Sequence, residues 1–210
     1  MDGSKTINER KNLLKICYKI IFNSNWSKKR FLEGMQNKFI NSDKLLVVFQ
    51  SAKKNKLNLS IKKKWITFVG KLNSAKGYDI FGDAIIKILD KYPKWNALVI
   101  GDEPREKIIL NHKNLKNLGF QNHQKVLQTF NKTSIAVACS RWEEPFGRTS
   151  LEASANGCAV IITDRGGLPE TITNARILIN LSHKNSAFSL GLDVIIEVDI
   201  PILLAQLNTS

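Results

Sequence analysis

Residues 140–157 read Ser140-Arg-Trp-Glu-Glu-Pro-Phe-Gly-Arg-Thr-Ser-Leu-Glu-Ala-Ser-Ala-Asn-Gly157. The apolar run before them, Ser134-Ile-Ala-Val-Ala-Cys139, reads as a buried parallel strand. The chain then turns through Pro145 and Gly147 into a short helix. Thr149 or Ser150 is placed to cap that helix, and Gly157 to end it. A second apolar run, Cys158-Ala-Val-Ile-Ile-Thr163, is the next strand. Strand, glycine turn, helix and strand form one crossover of a parallel sheet.

The turn has chemistry of its own. The N–H groups of Phe146, Gly147 and Arg148 lie at a helix start, where an anion such as a phosphate is favoured. Gly147 lacks a Cβ, so a ligand can approach its backbone. Glu144 precedes the turn, and Glu152 follows eight positions later. A carboxylate can accept two hydrogen bonds from a vicinal diol. Two of them around an anion-binding turn suit a ligand with phosphates in the middle and hydroxyls at both ends. The turn alone fits equally well an ordinary crossover with a solvated glutamate.

Outward from this unit, strands and helices alternate. Trp65–Val69 is a strand, and Gly77–Lys91 a helix with Phe81, Ile85, Ile88 and Leu89 on one face. Ala97–Ile100 is a strand ending at Gly101 and Asp102. A helix is expected near Arg105–Asn111, a short strand at Leu115–Phe120 and a helix over Asn122–Phe130. Leu168–Thr173 begins a short helix, and Ile177–Ile179 is a final strand. The fold class is α/β, a Rossmann-like parallel sheet with helices on both faces. Ligands of such sheets bind outside the carboxyl ends of the strands, where Gly70, Gly101, Gly147, Gly166 and Gly167 all fall. Lys71 and Lys76 flank the first glycine turn and can neutralise a diphosphate as it departs.

The first third differs. Residues 5–22 carry a helix-like apolar stripe that turns into a short strand at Lys19–Phe22. Asn23–Ser27 is a break with helix-start character. Lys28–Phe39 reads as a basic amphipathic helix, Leu45–Phe49 as a strand, and Ser51–Lys64 as a lysine-rich linker.

Glu144-Pro-Phe-Gly147, Leu151-Glu-Ala153, Gly157-Cys-Ala-Val-Ile161, Gly166-Gly-Leu-Pro-Glu170 and Phe68-Val-Gly-Lys-Leu-Asn-Ser-Ala-Lys-Gly77 together resemble the donor-binding domain of group 1 (family 4) glycosyltransferases. The resemblance covers roughly residues 45–180. It implies the GT-B fold, two Rossmann-like domains, with residues 65–180 as the nucleotide-sugar donor domain. Residues 1–64 would be a partial acceptor-side segment and basic linker, and 181–210 an unassigned tail. The resemblance also implies roles. Glu144 would hold hydroxyls of the donor sugar and Glu152 the ribose diol. Phe146, Gly147 and Arg148 would contact sugar or diphosphate, and Gly101 and Asp102 would pass near the nucleotide. The family usually has Arg where this chain has Lys71, which keeps the charge and loses the bidentate fork.

Composition narrows the remaining choices. The chain has 210 residues, 43% of them hydrophobic, enough for a packed core. Cys17, Cys139 and Cys158 sit in apolar runs and read as reduced core residues. His112, His123 and His183 have no zinc-ligand spacing, so no metal and no cofactor beyond the donor substrate is expected. Residues 1–64 hold 16 Lys/Arg against 4 Asp/Glu, and so carry +12 of the net +14. Such a lobe suits an anionic membrane surface, or is a solvated lysine-rich face. Aromatics are not interleaved with the basic residues as nucleic-acid binding requires. No signal-peptide h-region or membrane span appears, which fits a cytoplasmic protein, peripheral at most.

The expected function is therefore a retaining, metal-independent glycosyltransferase of polysaccharide biosynthesis. It would move a hexosyl group from a nucleoside-diphosphate sugar to a glycan or lipid-linked acceptor, in a truncated member keeping mainly the donor half. The rivals are a sugar-nucleotide epimerase on the same fold and a non-catalytic nucleotide-sugar-binding module. A dehydrogenase is disfavoured, since no Gly-x-Gly-x-x-Gly follows the first strong strand.

Overall fold

In a computed structural model the chain divides into two units, residues 1–51 and 52–210. The structure describes residues 3–35, 43–53, 58–172 and 176–179. In the first unit, helix α1 (Gly3–Ile16) leads to strand β1 (Ile20–Phe22), helix α2 (Asn25–Leu32) and strand β2 (Leu45–Val47). β1 and β2 pair in parallel around a small core of Leu14, Phe22, Met35 and Leu45. The Asn23–Ser27 break is a capped start: Ser24 Oγ accepts the Ser27 N–H at 3.0 Å. α2 therefore begins at Asn25, three residues before the expected Lys28. Part of the expected stretch to Phe39 lies outside the described residues.

The second unit is a six-stranded parallel sheet. In chain order its strands are β3 (Lys63–Val69), β4 (Asn96–Ile100), β5 (Leu115–Asn117), β6 (Thr133–Ala138), β7 (Ala159–Thr163) and β8 (Arg176–Ile179). Their spatial order is β5-β4-β3-β6-β7-β8. The chain thus winds outward from β3 to one edge, returns to β6, and winds to the other edge. The order reverses between β3 and β6, and there a doubly wound sheet opens a crevice at its carboxyl ends.

Side-chain alternation explains the two-sided burial. In β6, Ile135 and Val137 face one core with Ile66, Phe68, Ala97 and Val99. Ala136 faces the other, with Val126, Phe130, Ala153, Val160 and Ile162. Helix α3 (Tyr78–Lys91) covers the first face; Phe81, Ile85, Ile88 and Leu89 are all buried, as its periodicity predicts. Each such side chain contributes about 1.5–3 kcal/mol. Helices α4 (His123–Lys132) and α5 (Arg148–Ala155) supply Val126, Phe130 and Ala153 to the second face. Asn122 caps α4, accepting the Lys125 N–H at 2.9 Å.

Two local expectations are corrected. No helix forms over 105–111. Ile108 and Leu110 pack against the first core while Ile109 is exposed, an extended-chain period of two rather than a helical one. Glu103 binds Arg105 locally, which holds the chain in a turn just after Pro104. β3 also begins at Lys63, inside the expected linker, because Lys63 pairs with Thr133.

Candidate functional site

The loops after β3 and β6 meet at the reversal of strand order. After β3, Asn73 Oδ1 accepts the Lys76 N–H at 3.0 Å and starts a single 3-10 turn, Ser74–Lys76. Arg141 and Trp142, in the loop after β6, each donate a backbone N–H to Ala75 O at 3.0 Å. This fastening brings Lys76 Nζ onto Glu144 Oε1 as an ion pair. A pocket of about 90 Å³ lies over the junction, lined by Gly70, Lys76, Ser140, Glu144, Gly147 and Arg148 among others. That is room for a phosphate-sized group rather than a whole nucleotide sugar. A larger hollow, about 640 Å³, is lined by residues 25–33 in and just after α2. It gathers no strand ends and is not the better candidate.

Helix α5 starts at the pocket. Among the described residues no acceptor takes the N–H of Gly147, Arg148 or Thr149, so the helix presents its positive end there. The expected Thr149 or Ser150 cap is not formed. Gly147 is itself the N-cap, and Ser150 Oγ donates back to Gly147 O at 2.6 Å. Gly147 has φ 104°, and a Cβ there would strike Leu168 Cδ2 at 2.4 Å. Its bare face lies against the end of the Leu168 side chain, and it is the backbone conformation that requires glycine. Gly157, at φ 73°, follows the helix as expected.

Glu152 is buried. Its Oε1 accepts from Arg148 Nε at 2.6 Å and from His123 Nε2 at 2.9 Å. Gly101 has φ 142°, and a Cβ there would lie 1.8 Å from Gly70 O, so the β3 and β4 ends touch backbone to backbone. Phe146 is buried, whereas Asp102 and Lys71 are exposed. Of the predicted site residues, Lys76, Glu144, Gly147 and Arg148 thus share one pocket. Glu152 is tied to it through Arg148. Lys71 does not line it.

The neighbouring cations are engaged elsewhere. Arg141 pairs with Asp79 at 2.5 Å, and Arg165 pairs with Glu143 at 3.3 Å. Burial alone would raise the Asp79 carboxyl, but the hydrogen bonds from Arg141 and from backbone amides, with the guanidinium charge, hold it below its ordinary range. Burial pushes the Cys139 thiol up to about 12 and the Cys158 thiol to about 11, which leaves neither a nucleophile.

Sequence reasoning missed three contributors. Glu106 Oε1 accepts the Ser74 N–H at 3.1 Å, and Glu103 Oε2 accepts Asn73 Nδ2 at 3.1 Å, so the loop after β4 braces the lysine-bearing turn. His123 reaches Glu152 across 29 positions of sequence. The Asn73-x-x-Lys76 spacing is a readable cap signal; nothing in spacing alone links His123 to Glu152.

The second unit has the Rossmann-like parallel sheet of the GT-B fold. Residues 49–197 match the model of the family "Glycosyl transferases group 1", and the chain belongs to that family. It is 32% identical to the lipopolysaccharide core biosynthesis mannosyltransferase LpsB of Rhizobium meliloti over 130 residues, 57% of this chain and 37% of that one. The chain matches about a third of the length of such curated relatives. The structure of Alr3699/HepE of Anabaena, solved in complex with UDP, superposes with TM-score 0.77 at 19% identity, over 94% of this chain and 59% of that one. The C-terminal domain of the glycosyl transferase group 1 protein LpcC of Francisella tularensis superposes with TM-score 0.57 at 29% identity, over 67% of this chain and 79% of that one.

Proposed function

We propose that the second unit binds the donor of a retaining glycosyl transfer that needs no metal ion, from a nucleoside-diphosphate sugar to a glycan or lipid-linked acceptor. The observation that carries this is the Lys76–Glu144 pair at the positive end of α5, where the strand order reverses. The diphosphate would take the place of the Glu144 carboxylate against Lys76 and the Gly147–Thr149 amides, with Lys71 as a second, outer cation. Glu144, released, would accept from hydroxyls of the sugar. Glu152 would hold the ribose. Positive charge from side chains and oriented amides stabilises a departing diphosphate without a metal. Gly101 and Asp102, at the end of β4, would flank the nucleotide. LpsB is named as a mannosyltransferase of lipopolysaccharide core biosynthesis, which supports a hexose donor and a glycan acceptor. The basic first unit, with 16 Lys/Arg against 4 Asp/Glu in residues 1–64, would rest on an anionic membrane surface on its cytoplasmic side.

The test is thermal unfolding of the 210-residue chain with UDP, GDP or ADP in chelator. A nucleotide at a hundredfold its Kd should stabilise by about 2.7 kcal/mol. Stabilisation that appears only with Mg²⁺ or Mn²⁺ overturns the metal-free mechanism. Radiolabelled nucleotide sugars, incubated with and without acceptor extract, separate transfer from epimerisation of the donor.

A further inference from the structure

The carboxylate of Glu152 is held on one side only. Oε1 accepts two hydrogen bonds, from Arg148 Nε and His123 Nε2, while Oε2 accepts none among the described residues. An ionised carboxylate only accepts, so in this contact the donor is His123 Nε2 whenever Glu152 is charged. The two restraints differ in origin. Arg148 comes from the same helix four positions away, on a long side chain that is 65% exposed. Such exposed i,i+4 pairs hold geometry weakly. His123, whose side chain is 57% exposed, comes from another helix, as the first residue of α4, where the Asn122 cap fixes the backbone. Its ring has two torsions and reaches across from α4 to α5.

We infer that His123 is a positioning residue that locks the rotation of the Glu152 carboxylate, so that Oε2 is presented to a ribose hydroxyl and the site favours ribonucleotides over their deoxy forms. This rests on the donor-binding reading above. A helix-to-helix staple between α4 and α5 would make the same contact, but it would not discriminate between sugars. A site whose buried acceptor is pre-aimed rejects a ligand lacking the hydroxyl more strongly than one whose acceptor must first be ordered.

The experiment is calorimetry of the 210-residue chain with UDP and with 2′,3′-dideoxy-UDP, repeated with the GDP and ADP pairs. Variants are His123→Ala, His123→Gln, Glu152→Ala, and Glu152→Ala combined with His123→Ala. The wild type is expected to prefer the ribose form by about tenfold or more, the loss of one hydrogen bond to a charged group. His123→Ala should cut that preference at least threefold while changing dideoxy affinity less than twofold. His123→Gln, which keeps a donor, should restore it. In the Glu152→Ala background, His123→Ala should change the preference no further. If nucleotides bind with ribose preference but His123→Ala weakens both sugars equally or neither, the positioning role is wrong and the donor reading stands. If no nucleoside diphosphate binds the wild type, both fall together.

Discussion

Lys76 and Glu144 are 68 positions apart in the chain and form an ion pair across the two strand ends where the strand order reverses. Lys76 hangs from a turn capped by Asn73 after β3, and Glu144 precedes the turn into α5 after β6. The pair closes the pocket that the proposed diphosphate must enter. Its two members are the groups a nucleotide sugar needs apart: a cation for phosphate and a carboxylate for hydroxyls.

The pair is partly buried, with the Glu144 side chain 15% exposed. A double-mutant cycle of Lys76→Met and Glu144→Gln, measured by urea unfolding, should give a coupling of about 1 kcal/mol, at the top of the range of exposed pairs. Lys76→Met alone should weaken nucleoside-diphosphate binding at least tenfold despite leaving the fold intact. A coupling near zero would mean that the two side chains do not hold each other in solution.

Gly101→Ala should be far more damaging than its surface position suggests. The new Cβ would lie 1.8 Å from Gly70 O, a backbone atom that cannot swing aside, and φ 142° is unfavourable for any L side chain. A loss of about 2–3 kcal/mol is expected, or a fall in Tm of roughly 5–10 °C for a domain of this size. A change below 1 °C would show that the β3 and β4 ends are not locked together.

Much of this fold was legible because it is written in periods. The strands are short apolar runs and α3 is a strict helical stripe, so Phe81, Ile85, Ile88 and Leu89 could be assigned to the core from spacing alone. The resemblance carried by Glu144, Glu152 and the glycine turns pointed to the carboxyl ends of the strands, where the structure gathers Lys76, Glu144, Gly147 and Arg148 around one pocket. What was not legible depends on contacts between distant loops. Ile108-Ile-Leu110 reads as part of a helix until the first core is there to take alternate residues. Ser150 reads as a cap until Gly147 is seen to take its hydroxyl. His123 means nothing until α4 is laid beside α5. Lys71 and Lys76 look equivalent in sequence, and only the Asn73 cap sends Lys76 inward.

Cys139 gives a pH signature. Its thiol is buried and donates to Gly77 O at 3.1 Å, and burial moves it from about 9 to about 12. The folded chain therefore keeps a proton that the unfolded chain releases. Its contribution is fully present below pH 9 and is lost as pH rises from 9 toward 12. Cys139→Ala should flatten the decline between pH 9 and 11 by about 2 kcal/mol relative to wild type. Cys158 has the same sign over 9 to about 11, but Lys62 beside it, lowered chiefly by burial, acts in the opposite direction, so Cys139 is the cleaner probe. Parallel slopes for wild type and variant in urea titrations would contradict the assignment.

The basic first unit should bind anionic vesicles. α2 buries none of its residues, and Lys29 and Arg30 on it are exposed. Vesicles of one-third anionic lipid should sediment the chain at low salt, neutral vesicles should not, and physiological salt should weaken the binding. Replacing Lys28, Lys29 and Arg30 together with Gln should reduce it at least threefold. Equal sedimentation with neutral and anionic vesicles would favour a merely solvated lysine face.

The two glutamates should separate by ligand. Glu152 lies with Arg148 and His123, on the side assigned to ribose, whereas Glu144 lies against Lys76 in the pocket. A hydrogen bond to a charged group is worth about 1.5–3 kcal/mol, so each loss should read as roughly tenfold or more. Glu152→Ala should therefore weaken UDP and UDP-sugar alike, because both carry the ribose. Glu144→Ala should weaken the UDP-sugar but leave UDP unchanged or tighter, because removing the carboxylate frees Lys76 for the diphosphate. Calorimetry with the two ligands decides it. If Glu144→Ala costs UDP as much as UDP-sugar, the carboxylate is supporting the turn rather than meeting the sugar, and its proposed role has to be given up.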